Sequence, residues 1–230
     1  MTSFLNLLSS LKASISRLET SVILFAIDKD FQSEMMLDDL KKIHKDKLKV
    51  IIEDALDYPI WSLGDEPRQV IANLPYNTGT KMLILWLKHI NHFAMMTLMF
   101  QKEVADRIVA GSNNSKYGRL SILTNWKLNV KKIIDIKPQS FSPRPKIDSS
   151  LLLFTPKENS FELKDAKNLE MITRVFFSQR RKMLKKPFNQ IFNGNTDLLN
   201  KFNLDLNLRP QNLDFDTYYK LTIEYEKLRS

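Results

Sequence analysis

The chain has no cysteine, which excludes disulfide bonds, a thiolate nucleophile and any cysteine-ligated metal site. Histidine is scarce as well. His44, His89 and His92 are all there are, and they are too few and too poorly spaced for a zinc site. No apolar run is long enough to cross a bilayer, so no membrane partner is expected. Glycine is almost missing: there are five, and the first is Gly64. Ahead of it the chain has no residue that lets backbone approach a ligand without a side chain in the way.

What is present is the composition of a folded protein. The 230 residues are 43% hydrophobic, enough for one sizeable domain, or for one domain with a small appendage. The net charge is +9 and the pI is about 9.5, which favours a polyanionic partner such as nucleic acid or an acidic membrane surface. Residues 1–18 carry Lys12 and Arg17, several serines and no acid, a composition that imitates a transit peptide. Phe4, Leu7, Leu8, Leu11, Ile15 and Leu18 recur there at helical spacing, however, and read as a core-facing helix.

Strand-like and helix-like stretches alternate along the first two thirds. Residues 21–30, 48–56, 68–76 and 93–100 read as strands. Residues 33–47, 79–90, 102–110 and 117–128 read as helices. Two further strands, 130–136 and 148–155, are joined by "KPQSFSPRPKID" and suit an antiparallel finish. The alternation predicts an α/β fold with a mainly parallel sheet covered on both faces. After Pro156 the texture changes. "KENSFELKDAKN" is linker-like, and "LEMITRVFFSQRRKMLKK", "TDLLNKF" and "FDTYYKLTIEYEKL" are helical with no strand between them. The boundary is placed so that 1–156 form the α/β domain and 157–230 a small helical one.

"NLPY", residues 73–76, follows an apolar strand and precedes a helix. Loops at the carboxyl ends of strands are where α/β proteins place chemistry. An exocyclic amine on a nucleobase is a poor nucleophile, because its lone pair is delocalised into the ring. Asn73 can accept a hydrogen bond from one amine proton, and an adjacent backbone carbonyl can accept the other. Pro75 has a fixed φ and no N–H, so it holds the Leu74 carbonyl in place. Tyr76 offers a face on which a base stacks, worth about 1–3 kcal/mol. The plain alternative is a strand end with a turn proline and a half-buried tyrosine. Asp28 and Asp54 stand after two earlier strands, where acids accept hydrogen bonds from a nucleoside. The alternative for each is a helix N-cap. "SQRRKMLKK" gathers Arg180, Arg181, Lys182, Lys185 and Lys186 within about two helical turns and suits RNA phosphates; alone, such a run is more often a solvated helix face.

With these residues in view, the chain resembles the ribosomal RNA small-subunit adenine dimethyltransferases, the kasugamycin-sensitivity methyltransferase family. "NLPYN" matches that family's catalytic motif. "MFQKEVADRIVAGSNNSKYGRLSIL", "FSPRPKIDS", "FFSQRRKML" and "LNLRPQNLDFDTYYKL" match later blocks in order, over roughly residues 20–230. The resemblance implies a Rossmann-like methyltransferase sheet with a small helical C-terminal domain. It implies S-adenosylmethionine as cofactor, and transfer of two methyl groups to each of two adjacent adenosines near the 3′ end of small-subunit rRNA. Asp28 would hold the cofactor ribose, and Asp54 with Ala55 its adenine. Asn73, Leu74 and Pro75 would address the target amine, Asn73 lying between that amine and the cofactor and touching both, with Tyr76 and Phe141 on the two sides of the base. Arg180, Arg181, Lys182 and Lys185 would bind RNA. A cytoplasmic monomer engaging the small ribosomal subunit is expected, with no metal.

The family also carries an amino-terminal arm, a first strand and a glycine-rich loop of E-x-G-x-G type, and nothing like them stands before Asp28. That strand is central, so an N-terminally incomplete sheet with a gap and unpaired backbone groups is expected. Weak cofactor binding is expected with it. The expected functions are thus an rRNA adenine dimethyltransferase or, alternatively, a non-catalytic RNA-binding remnant that docks on the small subunit. A DNA adenine methyltransferase fits the specific blocks less well.

Overall fold

The computed structural model describes residues 23–229, without the side chains of residues 33, 34 and 36. The helix expected from Phe4 to Leu18 and the start of the first expected strand lie outside the described residues. The α/β part runs β1 (Leu24–Asp28), α1 (Phe31–Ile43), β2 (Leu48–Ile52), β3 (Arg68–Asn73), α2 (Gly79–Leu87), β4 (Phe93–Gln101), α3 (Lys102–Val109), α4 (Arg119–Lys127), β5 (Leu128–Ile136) and β6 (Ser149–Pro156). Helices α5 (Ala166–Phe177), α6 (Lys185–Phe192), α7 (Thr196–Lys201) and α8 (Phe215–Leu228) follow.

The strands form two sheets. β1 pairs with β2 in parallel, from Leu24 opposite Leu48 to Asp28 opposite Ile52. The others lie in the order β3-β4-β6-β5. β3 and β4 are parallel, and β6 runs antiparallel to both β4 and β5. β5, antiparallel to β6, points the same way as β3 and β4, so β6 is the one reversed strand of that sheet, and a mainly parallel sheet with an antiparallel finish is as expected. Loop 137–148 contains no crossover helix, so β6 returns against β5. Among the described residues β1 pairs only with β2 and β3 only with β4, which leaves one edge of each without a ladder. Among the described residues β3 turns Val70 and Ala72 inward, while Ile71 is 82% exposed.

The core lies on the covered face. Leu83 from α2, Met96 and Leu98 from β4, Leu128 from β5, and Leu152 and Phe154 from β6 are completely buried. Each such side chain contributes on the order of 1.5–3 kcal/mol on burial. A second core joins the C-terminal helices to the α/β part. Leu169, Ile172, Phe176, Phe188, Tyr218 and Leu221 pack with Tyr117, Ile122 and Trp126. Polar ends find backbone partners in it: Tyr219 donates to the Ile122 carbonyl at 3.0 Å, and the Trp126 indole N–H to Phe161 at 2.7 Å. The buried Glu226 carboxylate accepts from Lys164 N–H, Asp165 N–H and Asn168, so its charge is hydrogen-bonded where α5 begins.

The helix expected to run through "SQRRKMLKK" is interrupted. α5 ends at Phe177, and residues 178–184 form turns before α6 opens at Lys185. Ser178 caps its own helix by donating Oγ to the Val175 carbonyl, and the Leu184 N–H donates to Leu208 instead of to the preceding turn. Leu184 itself is fully buried. Drawing that leucine into the core breaks the helical path that the spacing of charges suggested.

Candidate active site

Each expected residue stands at the carboxyl end of a strand. Asp28 is the last residue of β1, Asp54 follows β2, and Asn73 is the last residue of β3. β1 and β2 are parallel, so Asp28 and Asp54 stand at the same sheet end. The N-cap alternative fails for both. The residue capping α1 is Asp30, which accepts from Gln32 N–H, while Asp28 accepts from Asp30 N–H at 3.0 Å. Asp54 accepts from Leu56 N–H at 2.9 Å, closing a local turn that sets half-buried Ala55 against the main core. The Lys29 ammonium stands 3.9 Å from the other Asp54 oxygen.

The Asn73–Tyr76 turn is fixed from below. Leu74 is 3% exposed and anchors the turn in the core, while Asn73, Pro75 and Tyr76 face outward. Thr78 N–H and Gly79 N–H both donate to the Pro75 carbonyl, so the hydrogen bonds that open α2 go to Pro75 and not to Leu74. Gly79 is needed at that place. A Cβ there would stand 3.0 Å from Leu74 Cβ and 3.5 Å from the Phe100 ring. Tyr76 is 40% exposed, and its hydroxyl lies 2.9 Å from Ser149 Oγ.

That contact brings β6 into the site. Ser149 pairs with Gln101 at the end of β4 and with Ile136 at the end of β5. Loop 137–148 therefore leaves the same edge and carries half-buried Phe141 on it. Lys102 N–H donates to the Asp148 carbonyl, and Lys137 pairs with the Asp148 carboxylate at 2.7 Å, holding the loop's second leg. Sequence alone does not mark Ser149, which ends "FSPRPKIDS" as one serine among many.

The basic residues do not act as one group. Arg180 reaches across to donate to the Ser115 carbonyl, in the loop ahead of α4. Arg181, Lys182 and Lys185 line an open cleft of about 700 Å³, together with Lys186, Met183, Asn207 and Arg209. No aspartate or glutamate lines it. Arg209 and Asn207 were missed, because only folding brings "LNLRPQNL" beside "SQRRKM".

Over residues 13–227 the chain matches the model of the family described as ribosomal RNA adenine dimethylase. The chain belongs to that family. Its class is therefore methyltransferase, with adenine in ribosomal RNA as the acceptor, and enzymes of this kind take the methyl group from S-adenosylmethionine. It is 59% identical over 213 residues to ribosomal RNA small subunit methyltransferase A of Pelagibacter ubique, covering 90% of this chain and 79% of that one. With the protein of the same name from Ehrlichia ruminantium the identity is 41%, over 85% of this chain and 74% of that one. Among solved structures, a dimethyladenosine transferase from Plasmodium falciparum superposes with a TM-score of 0.77 at 26% identity, covering 89% and 82%. The 23S rRNA methyltransferase ErmE, at 15% identity and a TM-score of 0.65, covers the same shares and shares the fold. No helix among the described residues is long and apolar enough to cross a membrane.

Proposed function

We propose that the chain dimethylates N6 of two adjacent adenosines near the 3′ end of small-subunit rRNA during ribosome biogenesis, with the Asn73–Tyr76 turn as the reacting site. The observation that carries this reading is the pairing of an outward Asn73, at the end of β3, with a Tyr76 ring held at its hydroxyl. The acceptor set fits the nucleoside part of S-adenosylmethionine: Asp28 for the ribose, and Asp54 with Ala55 for the adenine. When bound, the cofactor supplies a methyl group on a positively charged sulfur.

The chain's own residues make the amine reactive. Asn73 Oδ1 and the Leu74 carbonyl each accept a hydrogen bond from one of its two N–H groups, which turns the nitrogen toward tetrahedral geometry and frees its lone pair. Each transfer leaves a cationic nitrogen that releases one proton to solvent, so after the first a single N–H remains, and one acceptor is enough to hold it for the second. Tyr76 and Phe141 take the base out of its stack between them. Residues 1–156 carry this chemistry, and 157–230 supply an RNA-binding unit. Arg181, Lys182 and Lys185 grip phosphates in the basic cleft and set register without reading bases, while Arg180 supports the 111–118 loop beside it.

The test is methyl transfer from labelled S-adenosylmethionine to small-subunit particles that lack the modification, with the product located by mass mapping. Label on N6 of two neighbouring adenines near the 3′ end, lost in Asn73→Ala, is the expected result. Label elsewhere, or none, would reject the assignment.

A further inference from the structure

We infer that Ser149 is a positioning residue of this site: its hydroxyl holds the Tyr76 ring at the place where it receives the base. The inference rests on the reading of Tyr76 as a stacking wall. Four observations carry it. The Tyr76 hydroxyl and Ser149 Oγ are 2.9 Å apart, across 73 positions of sequence. Ser149 is completely buried, whereas Tyr76 is 40% exposed. Ser149 sits on the middle strand of three, paired on one side with Gln101 and on the other with Ile136. Its neighbour Ser150 bonds to Asp135, which Lys102 and Lys132 also hold.

The geometry works as a lever. The Tyr76 backbone end is fixed by buried Leu74, and the far end of the ring is fixed by Ser149. A phenol oxygen lies on the ring's own axis, so this bond leaves rotation about that axis free and stops the ring from swinging sideways. An untethered tyrosine on an exposed turn explores several χ1 wells, and each well other than the bound one lowers the fraction ready to stack. Ser149 removes that loss before the base arrives. A serine hydroxyl can also be bonded merely because it is buried. The two roles separate experimentally, because only positioning changes how a base stacks.

The test uses a small-subunit rRNA fragment with 2-aminopurine at the target position, whose fluorescence falls when the base stacks on an aromatic ring. Binding of the same RNA, end-labelled, is measured in parallel. The wild type is expected to quench 2-aminopurine. Ser149→Ala and Tyr76→Phe should each weaken the quenching equilibrium by about three- to tenfold, the size of one lost hydrogen bond. Total RNA affinity should change less. The double variant should be no worse than either single one, and Ser149→Thr should restore the signal. Tyr76→Phe, at a half-exposed position, keeps the test open should Ser149→Ala fold poorly. Full quenching in both Ser149→Ala and Tyr76→Phe, with loss in Tyr76→Ala, would overturn the inference and leave Tyr76 as the wall. Additive losses in the double variant would overturn it as well. Unchanged quenching in Tyr76→Ala would overturn the reading of Tyr76, and the inference with it.

Discussion

The Ser150 hydroxyl donates a 2.6 Å hydrogen bond to Oδ1 of Asp135, directly behind the site. Lys102 and Lys132 hold the same carboxylate. Bonds to its charged form, from Lys102 first and Ser150 next, keep its pKa well below the usual carboxylate range. A carboxyl whose native pKa lies below its unfolded value stabilises the fold fully above the unfolded pKa, about 4, and loses that share as pH falls toward the native value. Asp135→Asn should therefore lower the melting temperature at neutral pH, and the deficit should shrink steadily from about pH 5 to about pH 2. Melting curves across that range decide it. A deficit independent of pH would mean that packing, not charge, is what the substitution removes.

Asn73→Ala should cost on the order of 100-fold in kcat, comparable to the loss of one preorganised hydrogen-bonding group at a reacting centre. Cofactor affinity should fall less, because Asp28 and Asp54 stand on other strands. Steady-state methyl transfer beside calorimetric titration with S-adenosylmethionine separates the two. Equal losses in both would make Asn73 a cofactor ligand only.

The Asn73–Tyr76 turn was legible because its parts are consecutive: a strand end, a rigid proline and an aromatic face occupy four neighbouring positions. Asp28 and Asp54 were legible because each follows a run that only a strand explains. Ser149 was not, since a hydrogen bond across 73 positions leaves no local pattern. Arg209 was hidden for the same reason. The α5 end was misread because charge and apolar spacing stay helical through "SQRRKMLKK", while the Leu184 N–H has a tertiary partner in Leu208. Local periodicity reports what a segment prefers; burial of one leucine decided what it does.

Gly79→Ala tests how firmly the turn is braced. The added Cβ meets Leu74 Cβ at 3.0 Å, and Leu74 is buried. Overpacking of this kind costs about 1–3 kcal/mol. Because the atom displaced is Leu74, methyl transfer should fall more than stability does. Chemical denaturation gives the stability change, and methyl transfer at a temperature where both proteins are folded gives the other. Unaltered turnover would show that the turn tolerates a shifted Leu74.

The arginines around the basic cleft have different surroundings. Arg180 is engaged with the Ser115 carbonyl, so its loss should act through the 111–118 loop. Arg181 and Arg209 face the cleft from two segments brought together only by the fold. If both neutralise phosphates, Arg181→Ala with Arg209→Ala should weaken rRNA binding and flatten the dependence of log K on log salt by about two at most, one for each phosphate contact. Arg180→Ala should leave that slope nearly unchanged. Binding to a small-subunit rRNA fragment, measured from low to physiological salt for the three proteins, reads the slopes directly. A slope lost in Arg180→Ala and kept in the cleft double variant would place the phosphates on the Ser115 side instead. Equal slopes and equal intercepts in all three would mean that the cleft is solvated surface, and that the +9 charge acts elsewhere.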